Sequence, residues 1–138
     1  MLPTGESSMP LRSFAVARSV LVVDDSMLAR HSISRLLEKR GFAVESVSGG
    51  QEALDRLVNY RPNLIVTDMK MPGMNGGELI AALKSNRLTA DIPIIVVAAR
   101  QSGTEAKSDE RADYAIYKDI DVESQLDKAL AALFGARK

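Results

Sequence analysis

Four residues in this chain have the types and the setting to do chemistry: the adjacent carboxylates Asp24 and Asp25, the carboxylate Asp68, and the amine Lys118. Asp24-Asp25 follows the apolar run Val20-Leu21-Val22-Val23, Asp68 follows Leu64-Ile65-Val66-Thr67, and Lys118 follows Tyr114-Ala115-Ile116-Tyr117. Each stands where a strand is expected to stop, and Pro72-Gly73 and Gly76-Gly77 break the chain soon after Asp68. In an open parallel sheet, ligands bind outside the carboxyl ends of the strands. Three carboxylates gathered there repel at neutral pH, and an oxygen-lined acidic cluster is what a hard divalent cation such as Mg2+ (or Mn2+) accepts. Magnesium leaves part of its shell to phosphate oxygens, so the pocket suits phosphoryl chemistry. One aspartate can be the nucleophile, forming an acyl phosphate while metal and lysine offset the charge on the transferring group.

Taken singly, each residue has a plainer reading. Asp68 can be a turn-starting aspartate, the Asp24-Asp25 pair can complement a helix dipole, and Lys118 can be a solvated surface lysine. Only their joint position at strand ends favours a shared site.

The elements that must position them alternate along the chain. After the first strand, Ser26 is an N-cap candidate, Ala29, Ile33, Leu36 and Leu37 form an inner helical stripe, Arg30, His31, Arg35, Glu38 and Lys39 fill the other face, and Gly41 stops the helix. Phe42 to Val47 reads as a partly polar strand nearer the sheet edge. Gly49-Gly50 opens a second helix with Ala53, Leu54, Leu57 and Val58 inside, ended by Arg61-Pro62. Leu79, Ile80 and Leu83 mark a third helix, and Ile92 to Ala99 a fourth strand with Pro93 near its start. The stretch 100–111 has almost no large apolar residue, and only Ala106 and Ala112 could face a core, so any helix there is expected to be short and weakly held. Asp113 to Tyr117 makes a fifth strand, and Val122, Leu126, Ala129, Leu130 and Leu133 a last helix. This alternation predicts an α/β three-layer sandwich: a five-stranded parallel sheet with helices on both faces.

Bulk properties narrow the function further. With Lys+Arg and Asp+Glu both at 18 in 138 residues, no net charge drives binding to nucleic acid or membrane. The absence of cysteine excludes disulfides and thiolate chemistry and fits a cytoplasmic protein. The first 18 residues lack a basic start followed by an apolar core and are expected to form a flexible leader, native or not, with Met9 an alternative start; residues 19–138 form the domain.

Val22-Val23-Asp24-Asp25-Ser26, then Asp68-Met69-Lys70-Met71-Pro72-Gly73-Met74-Asn75-Gly76, then Lys118, resembles the receiver domain of bacterial two-component response regulators. The resemblance implies a flavodoxin-like, CheY-like fold and a phosphorelay role in which Asp68 accepts a phosphoryl group from a histidine kinase or histidine phosphotransfer protein. It also implies that Asp25 binds magnesium directly, Asp24 largely through water, and Lys70 through its backbone carbonyl, while Lys118 pairs with the phosphoryl group. The first helix, Ser26 to Arg40, would be the docking surface for the donor.

Three positions depart from the family's pattern. Ala98 stands where a Ser or Thr usually bonds the phosphoryl group, Ala115 where an aromatic switch residue usually lies, and Asp119 where a proline usually follows the lysine, so that loop is expected to be strained or reshaped. These changes predict a phosphoacceptor that lacks the usual hydroxyl-aromatic coupling, with Tyr117, on the same strand face as Ala115, a candidate substitute. Lys70 and Arg100, two residues beyond Asp68 and Ala98, are placed to hold an acyl phosphate and slow self-dephosphorylation. His31 reads as a solvated helix position.

A chain ending just past the last helix suggests action by protein contact, as a stand-alone regulator, a phosphate shuttle or a receiver cut from a hybrid histidine kinase. Two other classes compete. A haloacid-dehalogenase-type phosphatase needs a second aspartate two residues after the nucleophile, and that position is Lys70; no enzyme beyond self-phosphotransfer and slow self-dephosphorylation is expected. A phosphorylation-independent pseudo-receiver is favoured by Ala98 and Ala115 and opposed by the intact Asp24, Asp25, Asp68 and Lys118.

Overall fold

A computed structural model describes residues 18–99, 111–119 and 121–135. The expected leader up to residue 17, and the segment 100–110 where any helix is expected to be short, with Arg100 and Ala106 in it, lie outside the described residues. Five strands, β1 (Ser19–Val23), β2 (Ala43–Val47), β3 (Leu64–Asp68), β4 (Ile94–Ala98) and β5 (Tyr114–Tyr117), form one parallel sheet in the order β2-β1-β3-β4-β5. Among the described residues there are four helices, α1 (Met27–Lys39), α2 (Gly50–Arg56), α3 (Gly76–Lys84) and α4 (Val122–Phe134).

The three inner strands are apolar on both faces because both faces are covered, and every position except Ser19 is buried. On one face Val20, Val22, Leu64, Val66, Ile95 and Val97 pack with Ile33 and Leu37 of α1 and Leu126, Ala129 and Leu130 of α4. On the other, Leu21, Val23, Ile65, Ile94 and Val96 pack with Ala53 of α2 and Leu79, Ile80 and Leu83 of α3. Full burial of each such Leu or Ile contributes about 1.5–3 kcal/mol, so the carboxyl edge of β1, β3 and β4 is a rigid platform.

Local chemistry sets the helix ends. The Ser26 hydroxyl accepts the Ala29 N–H at 3.2 Å, and Asn75 and Glu78 form a reciprocal capping box at 2.8 and 2.9 Å. At the end of α1, Gly41 takes φ +89°, and the N–H groups of Gly41 and Phe42 close onto the carbonyls of Glu38 and Leu37. That is a Schellman stop.

Two expectations are corrected. α2 ends at Arg56 rather than at Arg61-Pro62: the Val58 and Asn59 N–H groups turn back to the Asp55 and Arg56 carbonyls, which leaves Val58 exposed instead of inside. Arg30 does not lie on a wholly solvated face: it is half-buried, and its guanidinium donates to the Asp24 carbonyl at 2.8 Å.

Candidate functional site

Parallel strands β1 and β3 are hydrogen-bonded neighbours, with Val23 opposite Thr67, so the residues leaving their carboxyl ends meet. Asp24, Asp25 and Asp68 each offer a carboxylate oxygen within 4.8 Å of the others. Asp24 and Asp68 are buried, and Asp25 is exposed. Lys118 comes from beyond β5, an edge strand one place further from β1 than β4 is, and spans that distance with its side chain. Its Nζ lies 3.2 Å from Asp68 Oδ1 and 4.0 Å from Asp24 Oδ2. All four residues singled out by type and spacing therefore share one pocket.

The backbone around them is tightly held. Asp24 N–H donates to the Val47 carbonyl, Met69 N–H to the Val97 carbonyl, and Lys118 N–H to the Ala98 carbonyl, extending the ladders past the strand ends. Gly76 opens α3 against the loop: its N–H donates to the Met69 carbonyl at 2.9 Å, and a Cβ there would fall 2.5 Å from the Asp68 carbonyl oxygen. Only glycine fits that approach.

Electrostatics reveal the conflict in the cluster. Burial pushes the Asp24 carboxyl above its usual range, the Ser26 N–H bonded to Oδ1 at 2.9 Å opposes this, and repulsion from Asp68 adds to it. Lys118 brings one positive charge to three carboxylates, so the pocket retains negative charge and a set of hard oxygen donors, which is the donor chemistry of Mg2+ or Mn2+.

The remaining predicted positions fall around this centre. Lys70 is exposed in a shallow cleft lined also by Met69, Met71, Pro72 and Asn75. Ala98 is buried at the end of β4, Ala115 is half-buried against the α2–α3 side, and Tyr117 is half-buried. No cis peptide bond occurs among the described residues, so the loop at Lys118-Asp119 keeps a trans bond. His31 is exposed. Sequence reasoning missed Arg30 on the Asp24 carbonyl and Gln125 of α4, whose carboxamide bonds both backbone groups of Tyr117. Neither carries a motif that marks it.

The parallel order β2-β1-β3-β4-β5 with an acidic pocket at the carboxyl edge defines a class, the flavodoxin-like α/β domains of CheY type. Comparison with known proteins gives the family: the profile of the response regulator receiver domain matches residues 20–131, and the chain belongs to that family. It is 39% identical over 116 residues to the response regulator MprA of Mycobacterium sp. (strain KMS), covering 83% of this chain and 50% of that protein. The chain thus spans about half the length of the curated relatives it matches. Among solved structures it is similar to the chemotaxis response regulator CheY4 of Vibrio cholerae, at TM-score 0.74 and 27% identity over 86% of this chain and 100% of that one. It is also similar to the receiver domain of a signal transduction histidine kinase from Syntrophus aciditrophicus, at TM-score 0.70 and 28% identity over 88% and 96%.

Proposed function

We propose that this receiver domain accepts a phosphoryl group on Asp68 from a histidine kinase or histidine phosphotransfer protein and signals by protein contact. The observation that carries the reading is the Lys118 amine 3.2 Å from Asp68 within a cluster of three carboxylates. An Asp68 oxygen attacks phosphorus, a P–O bond forms as the P–N bond to the donor's imidazole breaks, and the leaving nitrogen keeps the electron pair and takes a proton. Lys118 pairs with an oxygen of the incoming group. Asp25, Asp24 largely through water, Asp68 and the Lys70 backbone carbonyl would hold Mg2+ or Mn2+, which when bound supplies positive charge to the transferring oxygens. Met27 and Leu28, exposed at the start of α1 next to Asp25, suit the docking of a donor.

Incubation with a small-molecule phosphodonor and Mg2+, followed by intact-mass measurement, tests this. One added phosphoryl group is expected on the native chain and none on Asp68→Asn; a chain that stays unmodified overturns the reading. The buried Ala98, which brings no hydroxyl to the pocket, is the observation favouring a phosphorylation-independent interaction domain instead. Lys70 would shield the acyl phosphate from water, so Lys70→Ala is expected to shorten the phosphorylated half-life, and an unchanged half-life removes it from that role.

A further inference from the structure

β5 lies at the edge of the sheet, so alternate backbone groups along it face away from β4 with no strand among the described residues to receive them. At its last residue a side chain takes that place. Tyr117 N–H donates to Gln125 Oε1 at 3.0 Å, and Gln125 Nε2 donates to the Tyr117 carbonyl at 2.9 Å. Nε2 also lies 3.3 Å from the Asp121 carbonyl, which ties the carboxamide to the start of α4. Gln125 precedes Leu126, fully buried in the core, so its own backbone is anchored. On the inner side Lys118 N–H donates to the Ala98 carbonyl at 2.9 Å. The chain at Tyr117-Lys118 is therefore gripped from β4 on one side and from α4 on the other.

Lys118 leaves this gripped point to reach the acidic pocket. Its side chain is 36% exposed, and its ion pairs among the described residues are with Asp68 and Asp24. Its amine reaches both carboxylates only while its backbone stays where it is held. We propose that Gln125 is a positioning residue for Lys118: its carboxamide fixes Tyr117 from α4, holds the Lys118 amine at Asp68, and makes phosphoryl transfer responsive to contacts that shift α4. The inference rests on the roles of Asp68 and Lys118 proposed above.

The test uses the full chain with Mg2+ and acetyl phosphate, which releases acetate as Asp68 takes the phosphoryl group. Gln125→Leu removes both hydrogen bonds to Tyr117, and the longer one to Asp121, at similar size; it is expected to slow phosphorylation about tenfold, the scale of a misplaced reacting group. Affinity for Mn2+ stays unchanged, because the three carboxylates are untouched. Gln125→Glu keeps the acceptor for the Tyr117 N–H and falls between. On a Lys118→Ala background, Gln125→Leu changes the rate by less than about twofold, since the residue it acts through is gone. Equal losses in both backgrounds, or no loss in the first, overturn the proposal. Amide hydrogen exchange of the unphosphorylated protein gives an arm that needs no phosphoryl transfer. In Gln125→Leu the Tyr117 amide is expected to exchange about tenfold faster while β1 and β3 keep their protection; unchanged Tyr117 exchange overturns the clamp. A native chain that takes up no phosphoryl group, with Tyr117 exchange responding as expected, defeats the function proposed for Asp68 and Lys118 but not the clamp.

Discussion

Asp24 and Asp25 are adjacent in sequence, but Asp24 is buried and Asp25 exposed. Buried Asp24 binds its proton more tightly folded than unfolded, so its contribution to stability is full below the ordinary carboxylate range and is lost as pH rises through its raised value. Neutralising it should therefore help the metal-free protein at neutral pH. Asp24→Asn keeps an oxygen to accept the Ser26 N–H and removes one charge from the cluster; in EDTA at pH 7 it is expected to stabilise by about 1 kcal/mol, vanishing below about pH 3.5. Urea denaturation at the two pH values measures this, and a destabilised variant at pH 7 would show that Lys118 already compensates Asp24. Asp25 is exposed, so Asp25→Asn should change stability by less than about 0.5 kcal/mol. Its loss is expected to appear with metal: if Asp25 is a ligand as proposed, Mg2+ should raise the melting temperature of the native chain by mass action and do so much less in Asp25→Asn. A native chain whose melting temperature ignores Mg2+ has no metal site of useful affinity.

At the scale of elements, the loop from β3 to α3 is closely packed where Gly76 meets the backbone of Asp68 and Met69. Gly76→Ala puts a methyl against the Asp68 carbonyl and the Met69 Cα, both backbone atoms that cannot swing aside. The expected cost is about 2–3 kcal/mol, with slower phosphorylation because Asp68 itself is displaced; a variant as stable and as reactive as the native chain would mean that the loop yields freely. Across the pocket, β4 ends in buried Ala98 without a hydroxyl and β5 carries half-buried Ala115 without a ring, which leaves half-buried Tyr117 as the candidate ring on that face of β5; the usual hydroxyl-aromatic coupling is therefore expected to be absent. Spectra with and without a beryllofluoride mimic of the phosphoryl group should differ mainly at residues around Asp24, Asp68 and Lys118. A large ordered shift confined to β4, β5 and the segment joining them would instead show working coupling. The clamp between Gln125 and Tyr117 offers a different connection, from the pocket to α4, that does not use either alanine.

Across the whole molecule, what was legible in the sequence is what burial imposes. Val20 to Val23, Leu64 to Thr67 and Ile94 to Ala98 read as inner strands because both faces of the sheet are covered, and strand-end position then assembled Asp24, Asp25, Asp68 and Lys118. Interactions by which a helix side chain reaches a neighbouring strand end or another helix had no such periodic signature. Gln125, beside Leu126, looks like any polar helix position, and Arg30 like any surface arginine. Arg40 is a third case: from the end of α1 it reaches α4, where its guanidinium meets Glu123 at 2.8 Å and pairs with both oxygens of Asp127, while donating to the Leu36 carbonyl. Lys39 adds a longer contact to Glu123 at 3.5 Å. This network ties together the two helices on one face of the sheet, one of which carries Gln125. Hydrogen bonds from Arg40 hold the carboxyls of Glu123 and Asp127 below their usual values, so the stabilisation they give is present above the ordinary carboxylate range and is lost as pH falls through the depressed values. That is the reverse of Asp24. Both acids are about half exposed, so the effect is screened by salt and small for each pair. Arg40→Gln is accordingly expected to melt a few degrees below the native chain at pH 7 and low salt, with the gap closing on acidification or in 1 M salt, about 3 Å of Debye length. Melting curves across pH and salt decide it: a gap that persists in acid and high salt would mean that Arg40 acts by packing its stem and bonding Leu36, not by charge.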